Sequence, residues 1–220
     1  MKGVFITFEG PEGSGKTTQA RRLCRRLRRA GCRVVSVREP GGTRTGEAIR
    51  DIVQHDVTRE PIAPEAEALL FAASRAQLVR RRILPALARG AWVVSDRFAD
   101  STTAYQGYGR GFDIQTVLDI NAFAVGAAVP RLTILLDVDV GAGLARLAGR
   151  RQGGRRDRIE REAAAFHERV RRGYLALARR WPRRVRVVDA RRAAGAVHEQ
   201  VWALVRPLLA GCPRERARRP

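Results

Sequence analysis

Short apolar runs alternating with segments of helical spacing organise the chain. Residues 4–9 (VFITFE) read as a buried strand, and a glycine-rich turn follows. Ala20, Leu23, Cys24 and Leu27 then recur at helical spacing, so the chain opens as strand, glycine loop, helix. Residues 33–39 predict a second strand, 64–90 a long helix that kinks or breaks near Pro85, and 91–96 a third strand. A polar loop comes next, followed by a helix over 114–125 and a strand over 132–138. Residues 141–147 and 158–180 read as helices, 185–190 as a last strand and 193–209 as a last helix. This alternation predicts an α/β fold, a mostly parallel sheet of about five strands with helices on both faces.

At 220 residues the chain suffices for one such domain, taken as 1–211, and is short for two. Two segments stand outside the pattern. Residues 149–158 (GRRQGGRRDR) predict a mobile loop between helices, and 212–220 (CPRERARRP) a frayed basic tail. The formal net charge of +21 raises the question of a nucleic-acid partner. That charge is nearly all arginine, the only lysines being Lys2 and Lys16, and it is scattered along helical stretches, which favours solvated helix faces. Three irregularly placed cysteines fit neither a disulfide framework nor a zinc site and point to a reduced, cytoplasmic setting. With no signal-peptide pattern at residue 1 and no apolar run near the ~20 residues that span a bilayer, no membrane association is expected.

The turn after the first strand is GPEGSGKTT, residues 10–18. Gly10, Gly15, Lys16 and Thr17 satisfy G-x-x-x-x-G-K-[ST] between a strand and a helix, the context this phosphate-binding loop demands. Its backbone from Gly10 through Pro11, Glu12, Gly13, Ser14 and Gly15 to Lys16, Thr17 and Thr18 turns N–H groups toward phosphate oxygens, with the helix dipole behind them. Lys16 reaches the β- and γ-phosphates and the Thr17 hydroxyl can bind Mg²⁺. Many reaction classes share this loop, so the acceptor has to be found elsewhere. The second and third strands end in REPGGT and SDRF, each bringing an arginine (Arg38, Arg97) beside a carboxylate to the ligand-binding edge. Phe71 and Arg75, four residues apart, share a helix face, where a ring can stack on a base and a guanidinium can donate to its carbonyls. Taken alone, that pair more often describes a core Phe and a surface Arg.

Together GPEGSGKTT, REPGGT, FAASRAQ (71–77), SDRFADSTTAYQG (95–107) and DRIE (157–160) resemble, in order and approximate spacing, the bacterial thymidylate kinases. The resemblance implies a P-loop kinase fold and phosphoryl transfer from ATP to dTMP. It places Phe71 on the thymine ring and Arg75 on a thymine carbonyl, with Thr102 and Gln106 near the base. Tyr105 would crowd the 2′ position, Glu12 would receive the 3′-hydroxyl, and Arg38 and Arg97 would hold the monophosphate. Asp96 would lie near Mg²⁺ with Glu9 in the same acidic cluster. Gly13 stands where some members carry a phosphate-loop arginine. This chain therefore resembles the subclass that supplies the charge from a lid, here about 149–158, with Arg151 and Arg155 as the favoured cations among Arg150, Arg151, Arg155, Arg156 and Arg158. Phe98 occupies a position where such kinases often have Tyr or His. A homodimer is also implied. The competing expectations are a kinase for another nucleoside monophosphate and a nucleic-acid-binding P-loop ATPase, the latter requiring DNA-stimulated hydrolysis.

Overall fold

A computed structural model describes residues 3–55, 57, 60–150 and 158–211. Five parallel strands form one sheet in the order β2-β3-β1-β4-β5: β1 (Phe5–Glu9), β2 (Val34–Arg38), β3 (Trp92–Asp96), β4 (Leu132–Asp137) and β5 (Val185–Asp189). β1 is buried along its whole length because it lies mid-sheet and both its faces are covered, which is why it reads as a continuous apolar run. Alternation along it sends Ile6 and Phe8 into one core with α1 (Lys16–Arg29) and α9 (Ala194–Val205), and Phe5 into a second core on the opposite face. Leu23 and Leu27 of α1 are fully buried, each contributing about 1.5–3 kcal/mol of hydrophobic stabilisation.

The second core is closed by α3 (Pro64–Leu78), a π-helical turn over Val79–Ile83, and α4 (Leu84–Ala88). The expected break near Pro85 is this widened turn. Proline has no N–H to donate and its ring crowds the carbonyl four residues back, at Arg81, so the helix loosens there and resumes.

Three expectations need correction. Residues 44–55, given no element from the sequence, form α2 (Arg44–His55). The segment after β3 is helical: α5 (Ala99–Thr102) runs into a π-helical stretch over Thr103–Gly109, and α6 (Ile114–Val125) follows. The helix expected from residue 158 starts only at α8 (Ala164–Arg180), after turns at 158–161. Between β4 and that point lies α7 (Val140–Arg150). The expected lid residues 151–157 and tail 212–220 lie outside the described residues. Among the described residues, no helix is long and apolar enough to cross a membrane.

β1 pairs with β3 on one side and β4 on the other, and chain order reverses across it. Loops leaving neighbouring strands diverge at such a point and open a crevice at the carboxyl ends.

Candidate active site

That crevice is a cleft of about 510 Å³. Its walls include Glu12, Gly13, Gly15, Lys16 and Thr17 from the phosphate loop, Arg38 from the end of β2, Phe71 and Arg75 from α3, and Asp96 and Arg97 from the end of β3, with Thr102, Tyr105 and Gln106 from the helical run beyond; Arg21, Arg50 and Gln54, not expected from the sequence, line it as well. Residues distant in sequence and proposed separately thus share one cavity. Gly10, Pro11 and Ser14 support it from behind. Lys16 Nζ donates to the Pro11 and Gly10 carbonyls at 2.8 and 3.0 Å and to Ser14 Oγ at 3.3 Å. Burial and the nearby Arg97 charge lower the Lys16 pKa to about 8. Thr17 Oγ1 donates to Asp96 Oδ2 at 2.5 Å, which joins two hard oxygen donors at the cleft floor; Thr18 lies half-buried in the first turn of α1 and does not line the cleft.

Arg97 has φ 70°, a left-handed conformation that costs a non-glycine residue about 1–3 kcal/mol. Its N–H bonds to the Phe8 carbonyl at 2.9 Å and Ser95 Oγ donates to its carbonyl at 2.6 Å, so the turn is held on both sides. The guanidinium pairs closely with Glu12 and also donates to Tyr105 OH at 3.3 Å and Tyr174 OH at 3.4 Å. Tyr105 OH in turn donates to Glu12 at 2.7 Å. Burial works against ionisation of Glu12, but Arg97, Lys16 and the Tyr105 donor outweigh it and hold the carboxyl at about 2. At neutral pH the site therefore holds a carboxylate ready to accept and a guanidinium ready to donate.

Arg38, half-exposed, is oriented by Glu47 of α2 at 2.8 Å, which also accepts from Gly42 N–H at 2.7 Å. Glu47 escaped the sequence reading. Its available signal was Thr43, whose Oγ1 caps the Gly46 N–H at 3.0 Å and marks a helix start. Arg75 is only 1% exposed and is no surface arginine. It bonds Glu39 at 2.8–2.9 Å, Asn121 at 2.6 Å and Thr102 at 2.8 Å. Phe98 is also buried, edge-on to Phe5 at 4.9 Å, and belongs to the core beneath the cleft.

Glu9 is where the structure departs most from the expected acidic cluster. Strand alternation puts it on the inner face with Phe5 and Thr7, fully buried and outside the cleft. It accepts from Phe98 N–H at 2.8 Å, Ser101 Oγ at 2.6 Å and Tyr174 OH at 3.1 Å, so its oxygens are spent on the scaffold. Burial, reinforced by Asp100, raises its carboxyl from 4.5 to about 8. The folded state thus keeps a proton that the unfolded chain releases above about 4.5. The resulting stability is full below about 4.5 and is lost as pH rises through about 8. Glu9→Gln, a mimic of the protonated form, is expected to match wild-type stability at the acid end and exceed it at the alkaline end, as read from melting temperature against pH. Parallel curves for the two proteins would rule out a buried neutral Glu9.

Arg151 and Arg155 lie outside the described residues, and Arg158 is engaged by Glu67 instead of the cleft. None of His55, His167 and His198 lines the cleft. No cluster of three or more His, Cys, Asp or Glu able to hold a metal occurs among the described residues. Gly13 explains why the phosphate loop carries no arginine: φ is +70°, and a Cβ there would meet the Gly143 carbonyl of α7 at 2.0 Å.

A family model described as Thymidylate kinase matches residues 8–201. A thymidylate kinase from Pelotomaculum thermopropionicum is 55% identical over 201 residues, covering 91% of this chain and 92% of that protein. One from Desulforudis audaxviator is 48% identical over 220 residues, covering 97% of each. The crystal structure of thymidylate kinase from Ehrlichia chaffeensis superposes with a TM-score of 0.73 at 32% identity, covering 93% of this chain and 99% of that one.

Proposed function

This chain belongs to the thymidylate kinase family, and from that premise we infer that it transfers the γ-phosphoryl group of ATP to dTMP, giving dTDP and ADP. The observation that carries the assignment of roles is that one cavity joins the phosphate loop to the Phe71–Arg75 pair, with Arg97 and Glu12 between them.

The acceptor is a phosphate monoester whose second pKa is about 6, so near neutrality it is already nucleophilic and needs no general base. A cleft without histidine suits this chemistry. The obstacle is the mutual repulsion of two polyanions, and catalysis rests on alignment and positive charge. Lys16 donates to the β- and γ-phosphates of ATP, where phosphate oxygens compete with loop carbonyls for its N–H groups. Arg38 and Arg97 hold the dTMP phosphate, Glu12 accepts from the 3′-hydroxyl, and Tyr105 fills the space a 2′-hydroxyl would need. Phe71 stacks on the thymine, while Arg75, Thr102 and Gln106 flank it.

Thr17 and Asp96 fit Mg²⁺, which takes few protein oxygens and completes its shell with water and phosphate. The ion would neutralise charge on the β- and γ-phosphates. Glu9 is not part of that set. With Gly13 barred from carrying a side chain, Arg151 and Arg155 are assigned the remaining positive charge, in a single domain over 1–211. Burial of Cys24 as a free thiol fits a reducing cytoplasm.

ADP release from Mg-ATP with each deoxy- and ribonucleoside monophosphate tests the activity, with Phe71→Ala as the control for base recognition. Selective turnover of dTMP, weakened in the variant, supports the reading. Equal turnover of another monophosphate would keep the fold and refute the substrate.

A homodimer is proposed through α3 and α6. These helices pack together, and each exposes an apolar side chain that a partner copy would cover, Leu69 at 56% and Phe123 at 87%. Phe123→Glu is expected to give a monomer in sedimentation velocity at micromolar concentration, where the parent protein sediments as a dimer; an unchanged dimer would exclude this face.

A further inference from the structure

We propose that Glu67, which does not line the cleft, sets base selectivity by fixing the amide of Gln106 with its carbonyl end toward the substrate. Glu67 lies in the first turns of α3 and is 1% exposed. A carboxylate so buried is tolerated only when paired, and here two guanidiniums surround it. Arg158 contacts Oε2 closely and Arg110 donates to Oε1 and Oε2 at 3.4 and 3.3 Å. Held by both, Glu67 is an acceptor at each oxygen and a donor at neither. Gln106 meets it at 2.9 Å, and facing an acceptor it can present only its NH₂ end. The amide oxygen is left as the atom Gln106 offers to the cleft that it lines.

An acceptor at that point distinguishes bases. Thymine carries an N–H at ring position 3, whereas cytosine has a lone pair there and an amino group at position 4. Set against ring position 3, an oxygen that cannot be exchanged for an NH₂ by rotating the amide accepts from thymine and repels the cytosine lone pair, because Glu67 would lose its donor if the amide flipped. Arg158 adds a second effect through the same carboxylate. Its Nε donates to the Val53 carbonyl at 3.2 Å, pinning residues 158–160 over the cavity so that Ile159 and Glu160 join its lining. Arg110, fixed by Glu162 at 2.6 Å, completes the support.

This inference rests on the assignment of the cleft to dTMP. Its test is the ratio of kcat/KM for dTMP to that for dCMP, with KM for ATP and melting temperature measured alongside. Glu67→Gln permits either amide orientation at Gln106, and Glu67→Asp keeps the charge but withdraws it from the amide. In both variants the ratio is expected to fall by about tenfold or more, the scale of one charge-assisted hydrogen bond, with KM for ATP unchanged. An unchanged ratio in both folded variants overturns the proposal, as does a fall matched by an equal rise in KM for ATP. Lack of dTMP preference in the parent protein would instead remove the substrate assignment beneath it.

Discussion

Lys16→Met is expected to lower kcat by about a thousandfold or more, an amount comparable to losing a principal electrostatic donor to a developing charge, or about 4 kcal/mol of barrier. Affinity for dTMP should change little, because the acceptor is held by Arg38, Arg97 and Glu12. Glu12 keeps its close Arg97 partner in the variant, so the pair that organises the acceptor side survives. Stability should hold or rise. Lys16 is 7% exposed, burial lowers its pKa to about 8, and methionine fills nearly the same volume without a charge to desolvate. Single-turnover kinetics, calorimetric titration of dTMP and melting temperature separate these effects. A kcat within tenfold of the parent would remove Lys16 from the transferring phosphates.

Arg75→Ala should unfold the protein more readily than any substitution confined to the cleft rim. Removing one partner of a buried ion pair costs about 3–5 kcal/mol because the other charge stays behind. Here that residue is Glu39, itself buried, with Oε1 lacking any hydrogen-bond partner among the described residues. Burial already raises the Glu39 pKa and Arg75 opposes the rise, so without Arg75 it climbs further. A carboxyl with a raised folded-state pKa gives stability at low pH that is lost as pH increases. The deficit of Arg75→Ala is therefore expected to be smaller in acid than above neutrality. Adding Glu39→Gln should recover part of it, so that urea unfolding of the double variant shows less than the sum of the single losses. Strict additivity would mean that the two side chains do not share a charge balance. For the same reason Arg75→Ala is a poor probe of base recognition: a loss of dTMP binding would mix reading with folding.

The phosphate loop and the five strands were legible because their information is local. A G-x-x-x-x-G-K-T turn is dictated by the backbone freedom of a few neighbouring residues, and a strand covered on both faces announces itself as an apolar run. α2 was missed although its buried positions Gly46, Ile49 and Val53 fall at the spacing of a helix face, because Gly41, Gly42 and Gly46 read as loop. The stretch 103–109 (TAYQGYG) was missed for a related reason. Its glycines read as loop, yet a Cβ at Gly109 would meet the Phe166 ring of α8 at 2.7 Å, so that glycine serves close packing.

What residues 1–220 dictated through short-range sterics and periodicity was thus the α/β plan and the nucleotide loop, while most of the other cleft residues were implied by the family resemblance. Folding settled which carboxylates face the ligand. Glu9 and Glu12 are three residues apart, yet strand alternation sinks the first into a neutral, buried scaffold while the loop lifts the second to Arg97. Arg75 and Glu67 became internal because partners from distant segments, Glu39, Asn121, Arg110 and Arg158, converge on them. Charge balance in a desolvated interior depends on those long-range partners, and no local pattern records them.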